Sequence, residues 1–236
     1  VSAARVLVLG GSGALGQAVR RELSERGAAV AFTFHQTKVE GAMAIGADLS
    51  IASEVDRAVD EAAALLGGLD ALVHCAAVSG MNEAGAPSPR LADLDAERFD
   101  ALMAVNLRSA FLACRRAAPH LGREGKGAIV LLGSLDGVKP MPSPVHFAVS
   151  KAALVGLTRS LAKELGERGV RVNLVAPGVL DGGLSRSLPE AQAKDYLAHS
   201  ALGRVGTLPE AARVVAQLAL DPGYVSGQVF SLDGGL

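Results

Sequence analysis

Arg5-Val6-Leu7-Val8-Leu9-Gly10-Gly11-Ser12-Gly13-Ala14-Leu15-Gly16 is the stretch whose reading decides the fold. Five residues of buried-strand character run into a glycine-rich turn. Residues Leu15 to Arg26 then carry apolar side chains at helical spacing, up to a stop at Gly27. A strand that turns on glycines into a helix leaves the first helical N–H groups unpaired and the positive end of the helix dipole open. Glycine also lets the backbone come close to a pyrophosphate. Gly10, Ser12, Gly13, Leu15 and Gly16 are therefore candidate dinucleotide-binding positions. A tight turn with no ligand would show some of the same glycines, and it is the strand-to-helix setting that favours a ligand.

Outward from this turn, short β-branched runs alternate with longer amphipathic stretches. Strands are predicted at 29–33, weakly near 42–45, and at 71–74, 128–132, 171–175 and 228–232. Helices are predicted over about 53–66 with Ser53 as N-cap, 96–118 closed by Pro119, 145–168 and 208–219. This alternation predicts an α/β class: a single-domain, doubly wound parallel sheet of Rossmann type with helices on both faces. Ligands on such sheets lie outside the carboxyl ends of the strands. Residues 79–93 and 179–207 read as irregular, and long irregular segments beside a site are usually functional.

The second strand runs into Thr33-Phe34-His35-Gln36-Thr37-Lys38, which contains no carboxylate. An acidic residue there would accept from a ribose 2′-hydroxyl and repel a 2′-phosphate. Its absence, with Phe34 and His35 at the strand end and donors nearby, favours NADP(H). Asp48, followed by Leu49, either accepts from an adenine amine or caps the next turn.

Composition narrows the rest. The chain has 236 residues, half of them apolar, and a net charge of −1 without blocks of like charge. One large α/β domain is expected, with no nucleic-acid or membrane partner. The start of the chain is too short and too glycine-punctuated for a secretory signal, so the expected location is cytoplasmic. Cys75 and Cys114, the only cysteines, have no metal-ligand spacing, and no metal is expected.

Further motifs resemble the short-chain dehydrogenase/reductase family, in particular its 3-oxoacyl carrier-protein reductases, over essentially the whole chain. Gly10 and Gly16 match the family's glycine turn, with Leu9 and Ala14 as departures. Leu69 to Ala77 stands where the family has N-N-A-G, which puts Cys75, Ala76 and Ala77 beside the cofactor although only Ala76 is kept. Val105-Asn106-Leu107 matches the catalytic-asparagine motif, and Leu132-Gly133-Ser134 with Gly137 the serine motif. Ala176-Pro177-Gly178, followed by Leu180, matches the Pro-Gly turn. Val225 to Gln228 and Asp233-Gly234-Gly235 match the C-terminal signature.

The family's Y-x-x-x-K motif, thirteen residues after the serine, falls on Phe147-Ala148-Val149-Ser150-Lys151. A spacing of four sets Phe147 and Lys151 on one helix face. The resemblance implies that a tyrosine at 147 would protonate the carbonyl oxygen and that Lys151 would lower its pKa and hold the ribose. It also implies that Ser134 would polarise the carbonyl and that Asn106 would support a water relay. Phenylalanine has the ring without the proton, so slow reduction is expected. Three readings stay open: a substitution introduced to trap a complex, a catalytically silent subunit paired with an active homologue, or a proton from His146, Asp136 or Tyr196.

The resemblance further makes Val179 to Leu184 and the helix after it a substrate lid, with glycine hinges and without the family's threonine near Gly182. Leu184, Leu188, Leu197 and Leu202 make this lid apolar, suiting an acyl chain or simply packing it down. Arg168, with Arg159, Lys163, Arg171, Arg123 and Lys126, stands where related reductases meet an acidic acyl carrier protein, or else is an ordinary solvated helix end. A homo-oligomer, tetramer or dimer, is implied through the helices predicted at 96–118 and 145–168.

Overall fold

The computed structural model describes residues 3–36, 39, 41–81, 89–122, 125–221 and 223–236. Thr37, Lys38 and Arg123 lie outside them, as does part of the 79–93 stretch. In chain order the elements are β1 (Arg5–Leu9), α1 (Ala14–Glu25), β2 (Ala29–Phe34), β3 (Ala44–Gly46), α2 (Ala52–Leu66) and β4 (Ala71–His74). There follow α3 (Ala96–Met103), α4 (Ser109–Ala117), β5 (Gly127–Leu132), α5 (Val145–Glu164) and β6 (Val170–Pro177), then α6 (Glu190–His199), α7 (Leu208–Leu220) and β7 (Val229–Leu232).

The strands form one parallel sheet in the order β3-β2-β1-β4-β5-β6-β7. Successive side chains of a strand point to opposite faces. Leu7 and Leu9 accordingly join Val55, Val59, Ala113 and Leu154 in a core under α2, α4 and α5. Val6 and Val8 join Val19, Leu23, Val215 and Ala216 under α1 and α7. Burial on both faces is why β1 and β5 read as continuous apolar runs rather than alternating ones. After β3 the chain returns to lay β4 along the other edge of β1. The direction of winding reverses between those two strands, and a crevice opens at their carboxyl ends.

The expected class and sheet are therefore found, with local corrections. Ser53 is not the cap of α2: the helix starts at Ala52 behind an extended Ile51 with no side-chain cap. The turn is fastened instead by the Asp48 carboxylate, which accepts from Ser50 N–H (2.9 Å) and Ser50 Oγ (2.7 Å), and by Glu54, which accepts from Asp48 N–H (2.7 Å). The helix predicted over 96–118 is broken by a π-turn, Ala104–Arg108, whose wider winding inserts a residue between α3 and α4. The helix predicted over 145–168 ends at Glu164, and the chain passes through a 3₁₀ turn, Gly166–Arg168, to a left-handed Gly169. Residues 179–207, irregular by their pattern, contain a 3₁₀ turn, Gly183–Ser187, and α6, the helix that the resemblance placed after Leu184. The described part of 79–93 includes another, Leu91–Asp93.

Candidate active site

The turn after β1 is as tight as its glycines allow. Gly10 has φ +75°, and a β-carbon there would lie 2.7 Å from the backbone of Ala76. One on Gly16 would collide with the Gly10 carbonyl oxygen. Thr33 Oγ1, at the end of β2, accepts from Gly10 N–H (2.8 Å) and ties the turn to the neighbouring strand. No side chain caps α1 at Gly13, so its first N–H groups face the crevice uncapped.

Two adjoining cavities run along the crevice. One is lined by Gly10, Ser12, Gly13, Phe34, His35, Asp48, Leu49, Cys75, Ala76 and Ala77. The other brings Leu15, Gly16, Lys151, Pro177, Gly178 and Leu180 together with Gly10, Gly13, Cys75 and Ala77. Every position expected to hold the cofactor thus lies on one continuous groove. His35 Nε2 stands 3.6 Å from Asp48 Oδ2. The Asp48 carboxyl is held below its ordinary pKa chiefly by its two hydrogen bonds from Ser50, with His35 adding to this. Asp48 therefore does cap its turn.

Asn106, Ser134, Phe147 and Lys151 come from three elements. Asn106 sits in the π-turn, buried. Its Oδ1 accepts from Val78 N–H (2.8 Å), and its Nδ2 donates to the Val78 carbonyl (3.0 Å) and to Ser150 Oγ (3.2 Å). It thereby pins the loop after β4 to α5. Lys151 is buried, and Nζ donates to the carbonyl of Leu132 at 2.9 Å. Burial pushes its pKa down to about 8, with nearby Cys75 and Asp136 pulling the other way. The Phe147 ring, with Lys151 Nζ 5.7 Å from its centroid, lines both the groove and a further cavity. That cavity lies under Leu184 and Leu188 and includes Ser134, Asp136 and Tyr196 in its wall. Leu197 and Leu202, expected in the apolar lid, are not part of this wall, and Leu202 is 66% exposed.

Ser134 follows β5 and caps a 3₁₀ turn, Leu135–Gly137. A β-carbon on Gly137 would lie 2.7 Å from Ala152 N, so glycine lets this turn press against α5. The Ser134 hydroxyl donates to the Asp136 carboxylate, an interaction that only the folded turn reveals. The alternative proton donors are not equivalent. The Tyr196 hydroxyl donates to the Asp233 carbonyl (2.8 Å). The buried His146 ring lies against Gly80 and is absent from the wall containing Phe147. Of the three, Asp136 alone is bonded to a predicted catalytic residue. Thr33, which anchors Gly10, and Ser185, whose Oγ accepts from Leu180 N–H (3.0 Å), were missed by sequence reading; neither lies in a motif.

On the opposite side from the crevice, Arg168 donates to the Leu121 carbonyl (3.3 Å), while Arg159, Lys163 and Lys126 are exposed and Arg171 is half-buried. Among the described residues no helix is long and apolar enough to cross a membrane, and no cluster of metal-ligating side chains occurs.

Comparison with known proteins agrees with this geometry. Residues 11–236 match a family described as Enoyl-(Acyl carrier protein) reductase. The chain is 34% identical over 233 residues to the 3-oxoacyl-[acyl-carrier-protein] reductase MabA of Mycobacterium tuberculosis, covering 98% of this chain and 92% of that one. It is 30% identical over 244 residues to the 3-oxoacyl-[acyl-carrier-protein] reductase FabG of Staphylococcus aureus, covering 98% and 96%. A short-chain dehydrogenase/reductase from Serratia marcescens superposes with a TM-score of 0.87 at 34% identity, over 98% of this chain and 96% of that one. A short-chain dehydrogenase from Burkholderia cenocepacia, solved in complex with NADP, does so with a TM-score of 0.87 at 33% identity, over 98% and 97%. With its parallel sheet, its glycine turn, and Ser134 and Lys151 on one groove, this chain belongs to the short-chain dehydrogenase/reductase family and resembles its 3-oxoacyl-[acyl-carrier-protein] reductases.

Proposed function

We propose that the chain is an NADP(H)-dependent ketoreductase in form, built for a 3-oxoacyl thioester on a carrier protein, with turnover impaired at Phe147. The observation that carries this reading is the convergence of Ser134 and Lys151 on a buried ring that bears no hydroxyl, with Asn106 pinned behind it. The whole chain acts as one dinucleotide-binding domain, with residues 179–207 as its lid. The groove fits a dinucleotide: the uncapped N-terminus of α1 offers N–H groups to a pyrophosphate, and Gly10 leaves the room a side chain would fill. The absence of a carboxylate at the end of β2 favours a 2′-phosphate, and a relative at 33% identity was solved with NADP.

When bound, the nicotinamide supplies a hydride. The chain's own residues do the rest. Lys151 presents a buried ammonium to the groove, Ser134 stands beside the carbonyl, and Asn106 fixes the wall behind them. At 147 nothing delivers the proton that the developing alkoxide needs, a loss of about 10²–10⁴-fold in rate. A second reading, a silent cofactor-binding subunit paired with an active homologue, draws support from the Ser134 hydroxyl being turned to Asp136 rather than left free for a carbonyl. The cations around Arg168 would steer an acidic carrier protein, and the helical stretch α3 to α4, with α5, would pair copies in a homo-oligomer.

The test is NADPH oxidation with an acetoacetyl thioester. Turnover in Phe147→Tyr and little in the parent chain supports the ketoreductase reading. No turnover in either, with a stable complex formed with an active homologue, supports the silent subunit instead.

A further inference from the structure

With phenylalanine at 147, the cavity beside it offers a carbonyl oxygen no proton, and among the described residues its own wall carries no positive charge. Reduction of C=O pushes the π pair onto oxygen, which must be stabilised as an anion and then protonated. Here the ring at 147 has no proton to give. The Ser134 hydroxyl spends its proton on Asp136, and its oxygen, which also accepts from Asp136 N–H at 3.4 Å, keeps one lone pair for the cavity. Among the described residues the wall carries two carboxylates, Asp136 and the more exposed Asp195, and no lysine, arginine or histidine. Lys151 is the opposing charge, but it is buried, donates to Leu132 and lines the groove rather than this cavity. The remaining wall is largely apolar, with Met81, Met141, Pro142 and Leu184, which strengthens any charge attraction inside it. A phenyl ring, a carboxylate and an acceptor-only serine together are the elements that bind an organic cation.

We propose that this cavity takes a protonated imine or the corresponding amine, and that the chain's hydride transfer acts on C=N. The inference rests on the reading of the groove as a site for a reduced nicotinamide dinucleotide, but not on the thioester. The step balances without an acid at 147. Hydride from the dinucleotide adds to the iminium carbon, and the C=N π pair becomes the nitrogen lone pair. The nitrogen keeps the proton it brought, and the released amine is protonated by solvent. Asp136 and the Phe147 ring hold the cation, and Ser134 accepts from its N–H. The missing phenol, which impairs ketone reduction, then leaves C=N reduction without a missing part.

The test is calorimetric titration of the full chain with pyrrolidine, an ammonium ion at neutral pH, and with cyclopentanone, a neutral ring of the same size. The expected result is at least about tenfold tighter binding of pyrrolidine, the weight of one charged contact. That preference should be lost in Asp136→Asn and reduced in Phe147→Leu, with each variant's fold checked by thermal unfolding. Reduction of pyrroline by NADPH should then proceed in the parent chain. Equal binding of the two rings, or a preference that survives Asp136→Asn, overturns the proposal, and a preserved preference without pyrroline turnover overturns its reduction step. Thioester turnover failing in Phe147→Tyr while both amine results hold removes the thioester reading alone.

Discussion

A side chain on Gly16 has nowhere to go but into the Gly10 carbonyl, so Gly16→Ala must reshape the turn that faces the crevice. The expected outcome is a loss of NADPH affinity of at least about tenfold by fluorescence titration, with an unchanged circular dichroism spectrum. Unchanged affinity would mean that the turn does not cradle the pyrophosphate. His74, at the end of β4, governs a different property. The Ser109 hydroxyl donates to the Val105 carbonyl (2.5 Å), so His74 Nε2–H must donate to Ser109 Oγ (2.7 Å), leaving a buried Nδ1 without a partner. Burial first, and Lys151 second, push this imidazole from 6.5 down to about 3. Its folded pKa lies below its unfolded one, so the unfolded chain binds the proton preferentially between those values. Stability therefore drops as pH falls from about 6.5 toward 3, with a slope of up to about 1.4 kcal/mol per pH unit from this one group. Urea unfolding across that range should show a shallower slope in His74→Asn; identical slopes would contradict the assignment. Resemblance to the family's motifs, read at their distances along the chain, pointed to Phe147, Lys151, Asn106 and Ser134, because such distances survive without coordinates. It gave no hint that Ser134 is turned to Asp136 or that His74 is sealed, since both depend on how the turn and the π-segment pack.

The π-turn between α3 and α4 is held by Asn106, whose amide satisfies both backbone groups of Val78. Asn106→Ala strands that N–H and carbonyl, and the expected cost is about 1–3 kcal/mol in urea unfolding. A loss below about 0.5 kcal/mol would mean that water replaces the amide without penalty. This break was invisible to sequence reading because apolar spacing continues on both sides of it, displaced by one residue. α6 was expected from the resemblance alone, for another reason. Of Glu190–His199 only Tyr196 is buried, so no apolar stripe marks the helix. β1 and β5, by contrast, were legible because strands covered on both faces become unbroken apolar runs. α7, predicted over 208–219, starts as expected, and the structure shows Thr207 and Glu210 forming a reciprocal capping box at its head.

At the scale of the whole molecule, alternation of strands and helices was enough to foresee a doubly wound sheet, because parallel strands require crossovers that cover both faces. The reversal of winding between β1 and β4 then places the glycine turn, the ends of β2 and β4, and Pro177–Leu180 on one groove. The cavity beyond Phe147 was not legible in the same way. Its wall is assembled from the loop after β4, the serine turn, α5 and the lid, four segments far apart in the chain. The groove fits a dinucleotide, while position 147 offers no proton to a carbonyl. The most direct measurement is the single-turnover rate of NADPH oxidation by an acetoacetyl thioester, in this chain and in Phe147→Tyr, each first shown to bind NADPH. A rate about 10²–10⁴-fold higher in the variant is predicted; equal rates in the two proteins would contradict the account.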